Sequence, residues 1–343
     1  MKNEIHRNYQ LDFVRIVAIL LVFYNHYYCY DFFLGSSNPG ILHYLLLIPS
    51  IICKCGPTLF FMISGALLLK RKENYSSDVF RRVKKFSVVI IAIVLLKFCF
   101  DRSFSNSISL LLNGLNWYFY AYLGFLLLLP VYRSVASNLK KEDWKYIFIL
   151  VIITNILFSI FRVLNIDVAV LNNLQPLASP WASSAWQCIF PLMGYFIIEN
   201  KELFIKYEKK IFSGCLLSIL LSMILIRIDI IKNGGANYEM LHQYYTILPS
   251  IYIFGSIISE DKKMSKNIYL NKFISICAPL TFGMFILETQ TNLGGFLFMK
   301  MYQLLGANMN RILISWIAII LKFIIFSMIV YILRLIPLVR RYI

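Results

Sequence analysis

The sequence predicts an all-α integral membrane protein, a single bundle of about ten transmembrane helices with both termini in the cytoplasm. Its composition is 59% hydrophobic and 15% charged, with a mean hydropathy of +0.69. Soluble domains are about half apolar and about a quarter charged, so this composition indicates a membrane protein. Apolar runs long enough for a bilayer recur along the whole chain, and Lys and Arg cluster in the short segments between them.

The apolar runs approach the length of about 20 residues that a helix needs to cross about 30 Å of hydrocarbon. They lie near residues 11–30, 46–69, 84–100, 115–135, 144–161, 182–198, 211–231, 243–258, 273–289 and 312–333. The outer stretches around 162–181 and 290–311 are rich in Asn, Gly, Ser and Pro and are interpreted as loops. No appended soluble domain is visible, so residues 1–343 are predicted to form one transmembrane domain.

The basic residues predict the orientation. With the N-terminus in the cytoplasm, 24 of the 34 Lys and Arg residues fall in inner segments and 6 in outer segments. Because cytoplasmic loops carry the excess of Lys and Arg, this distribution places both termini inside. In a soluble domain a net charge of +17 would suggest nucleic acid. Here the short clusters favour membrane lipids as partners, and no nucleic acid is expected.

The first span, Leu11 to Tyr30, carries Asp12, Arg15 and His26. Such groups are costly inside a membrane unless they pair or function. At about 100° per residue, Arg15 and His26 share one helix face about 16 Å apart, and Asp12 can pair with Arg15 from one turn earlier. Two interpretations stand: an anchoring ion pair with a hydrogen-bonded core histidine, or a functional site with His26 as a base.

The second span ends with two small residues and two cations. Ser64 and Gly65 indicate close helix packing, and the functional interpretation is that this packing brings the second helix against the polar face of the first. Arg71 and Lys72 follow on the cytoplasmic side. They are either ordinary orientation charges or ligands for the phosphates of a donor.

The fourth span begins at a polar and aromatic boundary. Asn116, Trp117 and Tyr118 form either a normal aromatic belt or a rim that binds an acceptor. Pro130 is expected to kink or end this helix.

Ionisable residues also lie in the third, ninth and tenth spans. Glu288 lies in the headgroup layer or points inward, where it could orient an imidazole. Lys97 and Lys322 either snorkel to the membrane surface or pair within the bundle.

An intramembrane histidine beyond a basic cytoplasmic mouth suits acyl transfer to a hydroxyl. This reaction needs a general base that works near neutral pH, and His is the usual choice. A coenzyme A thioester made in the cytosol carries phosphates that Arg and Lys bind well.

Four segments in order carry a resemblance to a known family. They are the Arg–ten residues–His pattern of 15–26 after LDFVR, FFMISGALLL at 60–69, NWYFYAYLGFLLLLPVYR at 116–133 and TFGMFILE at 281–288. Together they resemble the membrane-bound acyltransferase-3 family, in its single-domain branch that acetylates surface polysaccharides. Two positions depart from that pattern: Asn116 and Glu288 stand where the family often has His.

The resemblance implies a membrane O-acyltransferase of a bacterial plasma or inner membrane, with no bound cofactor and no metal. It implies acetyl-CoA, or another acyl-CoA, as the donor, and a hydroxyl of a cell-surface polysaccharide or its lipid-linked precursor as the acceptor. His26 would be the catalytic histidine and Arg15 its essential partner. Ser64 and Gly65 would belong to the second motif. From the residues themselves, Asp12 would support Arg15 and Glu288 could orient the imidazole.

Two alternatives remain at the level of sequence. A transporter or flippase for a glycan or small polar solute would use a similar polar cavity without covalent chemistry, although inverted repeats are not evident. A catalytically silent relative that serves as a scaffold is consistent with the departures at Asn116 and Glu288.

Overall fold

The computed structural model describes residues 7–26, 41–71, 78–101, 115–163, 189–233, 246–260, 267–291, 293–305 and 311–342. Across these ranges the secondary structure is helical and contains no strand, which confirms the all-α prediction. The helices are α1 Tyr9–Asn25, α2 Ile41–Ile52, α3 Cys55–Leu68, α4 Phe80–Asp101, α5 Trp117–Leu127, α6 Leu129–Asn138, α7 Lys141–Val163, α8 Ile189–Glu199, α9 Lys201–Asn233, α10 Ile247–Ser259, α11 Ile268–Cys277, α12 Thr281–Gln290, α13 Leu293–Leu305, α14 Arg311–Leu333 and α15 Pro337–Tyr342. A 3₁₀ turn, Ala278–Leu280, joins α11 to α12.

Several of these helices have the length and polarity of membrane spans. Within the described ranges, four stretches qualify, Leu47–Leu68, Lys201–Ile228, Ile268–Gln290 and Trp316–Leu333, and the bent pair α5–α6 makes a fifth if it counts as one span. Helix α1 has 17 residues, and the end of its predicted span, 27–30, lies outside the described residues. The apolar helices make this chain a membrane protein.

Helix α1 lies at the centre of the bundle. Its first turn is capped by Asn8, whose side chain accepts a hydrogen bond from the Leu11 N–H at 3.0 Å, and Asp12 complements the positive end of the helix dipole. The helix packs against α3, α10, α11, α12 and α14. A helix surrounded in this way is apolar on most of its circumference, as the sequence of α1 is. Its few polar side chains are therefore held by neighbouring helices.

The backbones of helices α3 and α8 are in direct contact at two glycines. A Cβ atom at Gly65 would lie 1.8 Å from the Pro191 carbonyl oxygen, and one at Gly194 would lie 2.0 Å from the Met62 carbonyl oxygen. The close packing predicted at Ser64–Gly65 is therefore confirmed, because only a residue without a side chain allows the backbones to approach this closely.

The partner of Gly65 differs from the functional interpretation, which expected the first helix. Helix α3 instead reaches α1 at Gly56, where a Cβ atom would lie 2.8 Å from the Val22 side chain. Beyond the membrane-spanning part of α3, Lys70 pairs with Glu199 at 2.9 Å, and this ion pair raises the pKa of Lys70.

Three predicted spans are interrupted within the described ranges. The span 273–289 contains the 3₁₀ turn Ala278–Leu280. The span 46–69 turns at Cys53 and Lys54, between α2 and α3. The span 115–135 bends by 63° between α5 and α6, with Pro130 in the first turn of α6. The predicted kink is confirmed, because the proline ring cannot continue the hydrogen-bonding pattern of α5.

The interpretation of 290–311 as a loop was wrong over most of its length. Helix α13 occupies Leu293–Leu305 and packs against α14 and α12. Its two glycines, Gly294 and Gly295, favour a loop in the sequence, but packing between helices outweighs local preference. Most of the other predicted loop, 162–181, lies outside the described residues.

Candidate functional site

A cavity of about 420 Å³ opens between α1, α3, α4, α5, α12 and α15. Four cationic residues and no Asp or Glu are among its lining residues. The cations are Arg15, Arg71, Arg82 and Lys85. A concave site with one sign of charge and low-dielectric walls attracts anions, and guanidinium groups suit phosphates in particular.

Aromatic side chains also line the cavity. Tyr118 stacks on Tyr122 with ring centroids 5.8 Å apart and meets Phe285 edge-on at 5.0 Å. Phe60 lies 6.3 Å from Tyr118 on the α3 side. Interlocked rings of this kind hold a fixed apolar shape. The cavity therefore offers cations for an anionic group and a rigid surface for an uncharged one.

Asp12 holds Arg15 at the cavity. The Arg15 guanidinium pairs with the Asp12 carboxylate one helical turn earlier, as the spacing predicted. The same carboxylate accepts a hydrogen bond from Arg7 Nε at 2.6 Å, and Arg7 Nη2 donates to the Ser275 carbonyl at 3.1 Å. Asp12 is thus shared by two arginines, and Arg7 links α1 to α11.

His26 follows the last residue of α1 and belongs to a cluster of ionisable groups. Its Nδ1 lies 3.1 Å from Glu288 Oε1, and Lys322 Nζ lies 2.8 Å from the same oxygen. The Glu288 and Lys322 side chains are 3% and 1% exposed, whereas that of His26 is 31% exposed. A carboxylate only accepts hydrogen bonds, so Nδ1 carries the proton and a neutral imidazole keeps its lone pair on Nε2. Nε2 makes no hydrogen bond to the described part of the chain.

The cavity and the cluster share two helices. Phe285 lines the cavity, and Glu288 follows it by three residues on α12, about 4.5 Å along the axis. On α1, Arg15 lines the cavity and His26 lies about 16 Å farther along. Helices α1 and α12 therefore run together from the cationic cavity to the imidazole.

The other predicted site residues divide between cavity and surface. Ser64, Arg71 and Tyr118 line the cavity with Arg15. Asn116 caps α5, since its side chain accepts a hydrogen bond from the Tyr118 N–H at 3.0 Å, and Trp117 is 40% exposed. Lys72 lies outside the described residues.

Sequence reasoning missed several residues of this site. Arg82 and Lys85 were counted only as orientation charges, and Tyr122 was not singled out. The pairing of Lys322 with Glu288 was left open, although two opposite charges in the last two predicted spans were a usable signal. Lys97 was given the same two interpretations as Lys322, but its side chain is outside the described part of the chain.

Comparison with known proteins agrees with the order of motifs along the chain. The acyltransferase-3 family model, described as an acyltransferase domain, matches residues 8–334. The chain belongs to the acyltransferase-3 family. A search of the curated proteins found no match, and a search of the solved structures found none. The family match runs from the cap of α1 to the end of α14, so the His26 cluster and the cavity, apart from Tyr342, lie within a membrane acyltransferase domain.

Proposed function

We propose that this acyltransferase transfers an acetyl group from cytoplasmic acetyl-CoA to a hydroxyl of a cell-surface polysaccharide or its lipid-linked precursor. It would act in the plasma or inner membrane of a bacterium, with about ten spans and both termini in the cytoplasm. The observation that carries the proposal is that the same two helices, α1 and α12, line the cationic cavity and, farther along, hold the His26–Glu288 pair, which is not itself part of the cavity lining.

The donor fits the cavity in two parts. Arg71, Arg82 and Lys85 suit the phosphates of coenzyme A, which carry several negative charges. The aromatic side chains of the cavity suit the uncharged thioester arm. Because Arg15 lies about 16 Å from His26 along the same helix, it would act on the donor rather than on the imidazole.

His26 then serves as the general base. Its Nε2 takes the proton of the acceptor hydroxyl as the oxygen attacks the thioester carbonyl carbon. The carbon–sulfur bond breaks, coenzyme A leaves as a thiolate, and the imidazolium returns the proton to that sulfur. Glu288 orients the ring through Nδ1, which leaves Nε2 directed away from the carboxylate.

The test is acetyl transfer from radiolabelled acetyl-CoA to envelope glycans in membranes that contain the protein. His26→Ala should abolish labelling while the protein still inserts, because it removes the base proposed to take the hydroxyl proton. His242→Ala, a histidine outside all the motifs, is the matched control and should keep the label. Full labelling with His26→Ala would contradict the mechanism. No label with the intact protein, across several acyl-CoA donors and with native acceptor present, would favour a transporter or flippase.

A further inference from the structure

A buried ion pair lies directly behind His26. Lys322 Nζ, on α14, is 2.8 Å from Glu288 Oε1, on α12, and 5.1 Å from the centroid of the Phe23 ring. At 1% exposure Lys322 is one of the most deeply buried large side chains in the described part of the chain. An ammonium in this position is costly unless a carboxylate balances it, so the pair itself requires an explanation.

Helix α13 covers the ion pair at Gly294. A Cβ atom at Gly294 would lie 2.7 Å from Glu288 Oε2 and 3.1 Å from Lys322 Nζ. Glu288 Oε2 is buried and has no hydrogen-bond partner among the described residues. The interactions of the carboxylate therefore converge on Oε1, which His26 and Lys322 share.

We propose that Lys322 is a positioning residue that acts through Glu288 to keep His26 in its neutral, base-competent form; this inference rests on the proposed function. With the ammonium in place, the carboxylate charge is balanced, and His26 need only donate Nδ1–H. Without the ammonium, the buried carboxylate is balanced only by an imidazolium. An imidazolium carries a proton on Nε2 as well and cannot accept one from a hydroxyl.

The neighbouring charges are few in the described ranges. The turn between α2 and α3 approaches this end of α1 through Cys53, whose thiol lies 3.7 Å from the Asn25 amide oxygen, and the buried Lys54 follows it. Other titratable groups on the helices around the pair include Tyr9, Asp12, Arg15 and Tyr24 on α1, the exposed Lys300 and Tyr302 on α13, and Tyr331 on α14. Of these, only Lys300 is altered below, as the control.

The decisive measurement is the pH dependence of acetyl transfer for two variants with opposite expected shifts. Lys322→Met keeps the side-chain length and removes the charge, so the acid limb of the pH–rate profile should move to higher pH by about one unit or more. Glu288→Gln leaves the ammonium without its carboxylate beside the imidazole, so the acid limb should move to lower pH, with a reduced maximal rate. Lys300→Met, the same substitution at an exposed lysine of α13, should leave the profile unchanged.

A role in folding alone predicts less protein or a uniformly lower rate, with the acid limb in place. An unmoved acid limb in Lys322→Met or in Glu288→Gln therefore overturns the proposal. If one variant does not accumulate in the membrane, the shift of the acid limb in the other variant tests the proposal. The proposed function is tested separately, by labelling with the intact protein and by the loss of label in His26→Ala. An active protein whose acid limb stays in place in both variants would therefore refute only the role of Lys322.

Discussion

Two adjacent arginines of α4 show that the position of a side chain in the fold determines whether it can contact a ligand. Arg82 lines the cavity, whereas the side chain of Arg81 is 76% exposed and pairs with Asp78. In the sequence both belong to the same basic cluster and carry the same orientation signal. Only Arg82 is placed to contact a bound anion.

We expect Arg82→Gln to raise the KM for acetyl-CoA by about tenfold, because it removes a charge-assisted contact to a phosphate. The maximal rate should change little, since Arg82 lines the cavity and His26 is not among the lining residues. Steady-state kinetics against acetyl-CoA concentration would measure this. Arg81→Gln is the control and should leave KM near its original value; equal effects of the two substitutions would argue against donor phosphates in the cavity.

At the scale of elements, the pairing of α3 with α8 positions one wall of the cavity. Ser64 lies on that wall, and the next residue, Gly65, lies about 100° around the helix and contacts Pro191. The α3 wall is therefore held in place by direct backbone contact with α8. A change in the α3–α8 distance would move Ser64 relative to Arg15.

Gly65→Ala should destabilise the protein by about 1–3 kcal/mol, because the new methyl group would overlap the Pro191 backbone. Thermal unfolding of the purified protein in detergent would show a lower Tm. Gly124→Ala on α5 is the matched control, since a Cβ atom there meets nothing within 4 Å. That variant should be unchanged or slightly more stable, as alanine favours helix. Equal Tm values for the two variants would contradict the tight α3–α8 packing.

At the scale of the whole molecule, the distribution of charge predicts how the bundle sits in the membrane. The cations of the cavity, Arg71, Arg82 and Lys85, belong to segments that the positive-inside rule assigns to the cytoplasm. The predicted orientation therefore places the proposed donor site on the side where acetyl-CoA is made.

Reporter fusions would test this orientation. A fluorescent protein at either terminus should be active in the cytoplasm, and a periplasmic phosphatase inserted within 162–181 should be active outside. The reason is the excess of Lys and Arg in the inner segments. Termini on opposite sides would overturn the even number of spans, and an N-terminus outside would overturn the cytoplasmic donor site.

The sequence by itself determined the class of the protein and its local features. Hydropathy established a helical membrane protein, and the motif order indicated the family that the comparison confirmed. The Asp12–Arg15 pair and the bend at Pro130 were also predicted. These features depend on residues within about one helical turn, where helix geometry alone sets the contact.

Only the tertiary structure decided which distant residues meet. His26 and Glu288 are 262 positions apart, and Glu288 and Lys322 are 34 apart, so neither contact follows from helical periodicity. The same holds for the partner of Gly65, for helix α13 over the buried pair, and for the union of Arg15, Arg71, Arg82 and Lys85 around one cavity. Helical periodicity fixes the face on which a residue lies, but the packing of whole helices against one another decides which faces meet.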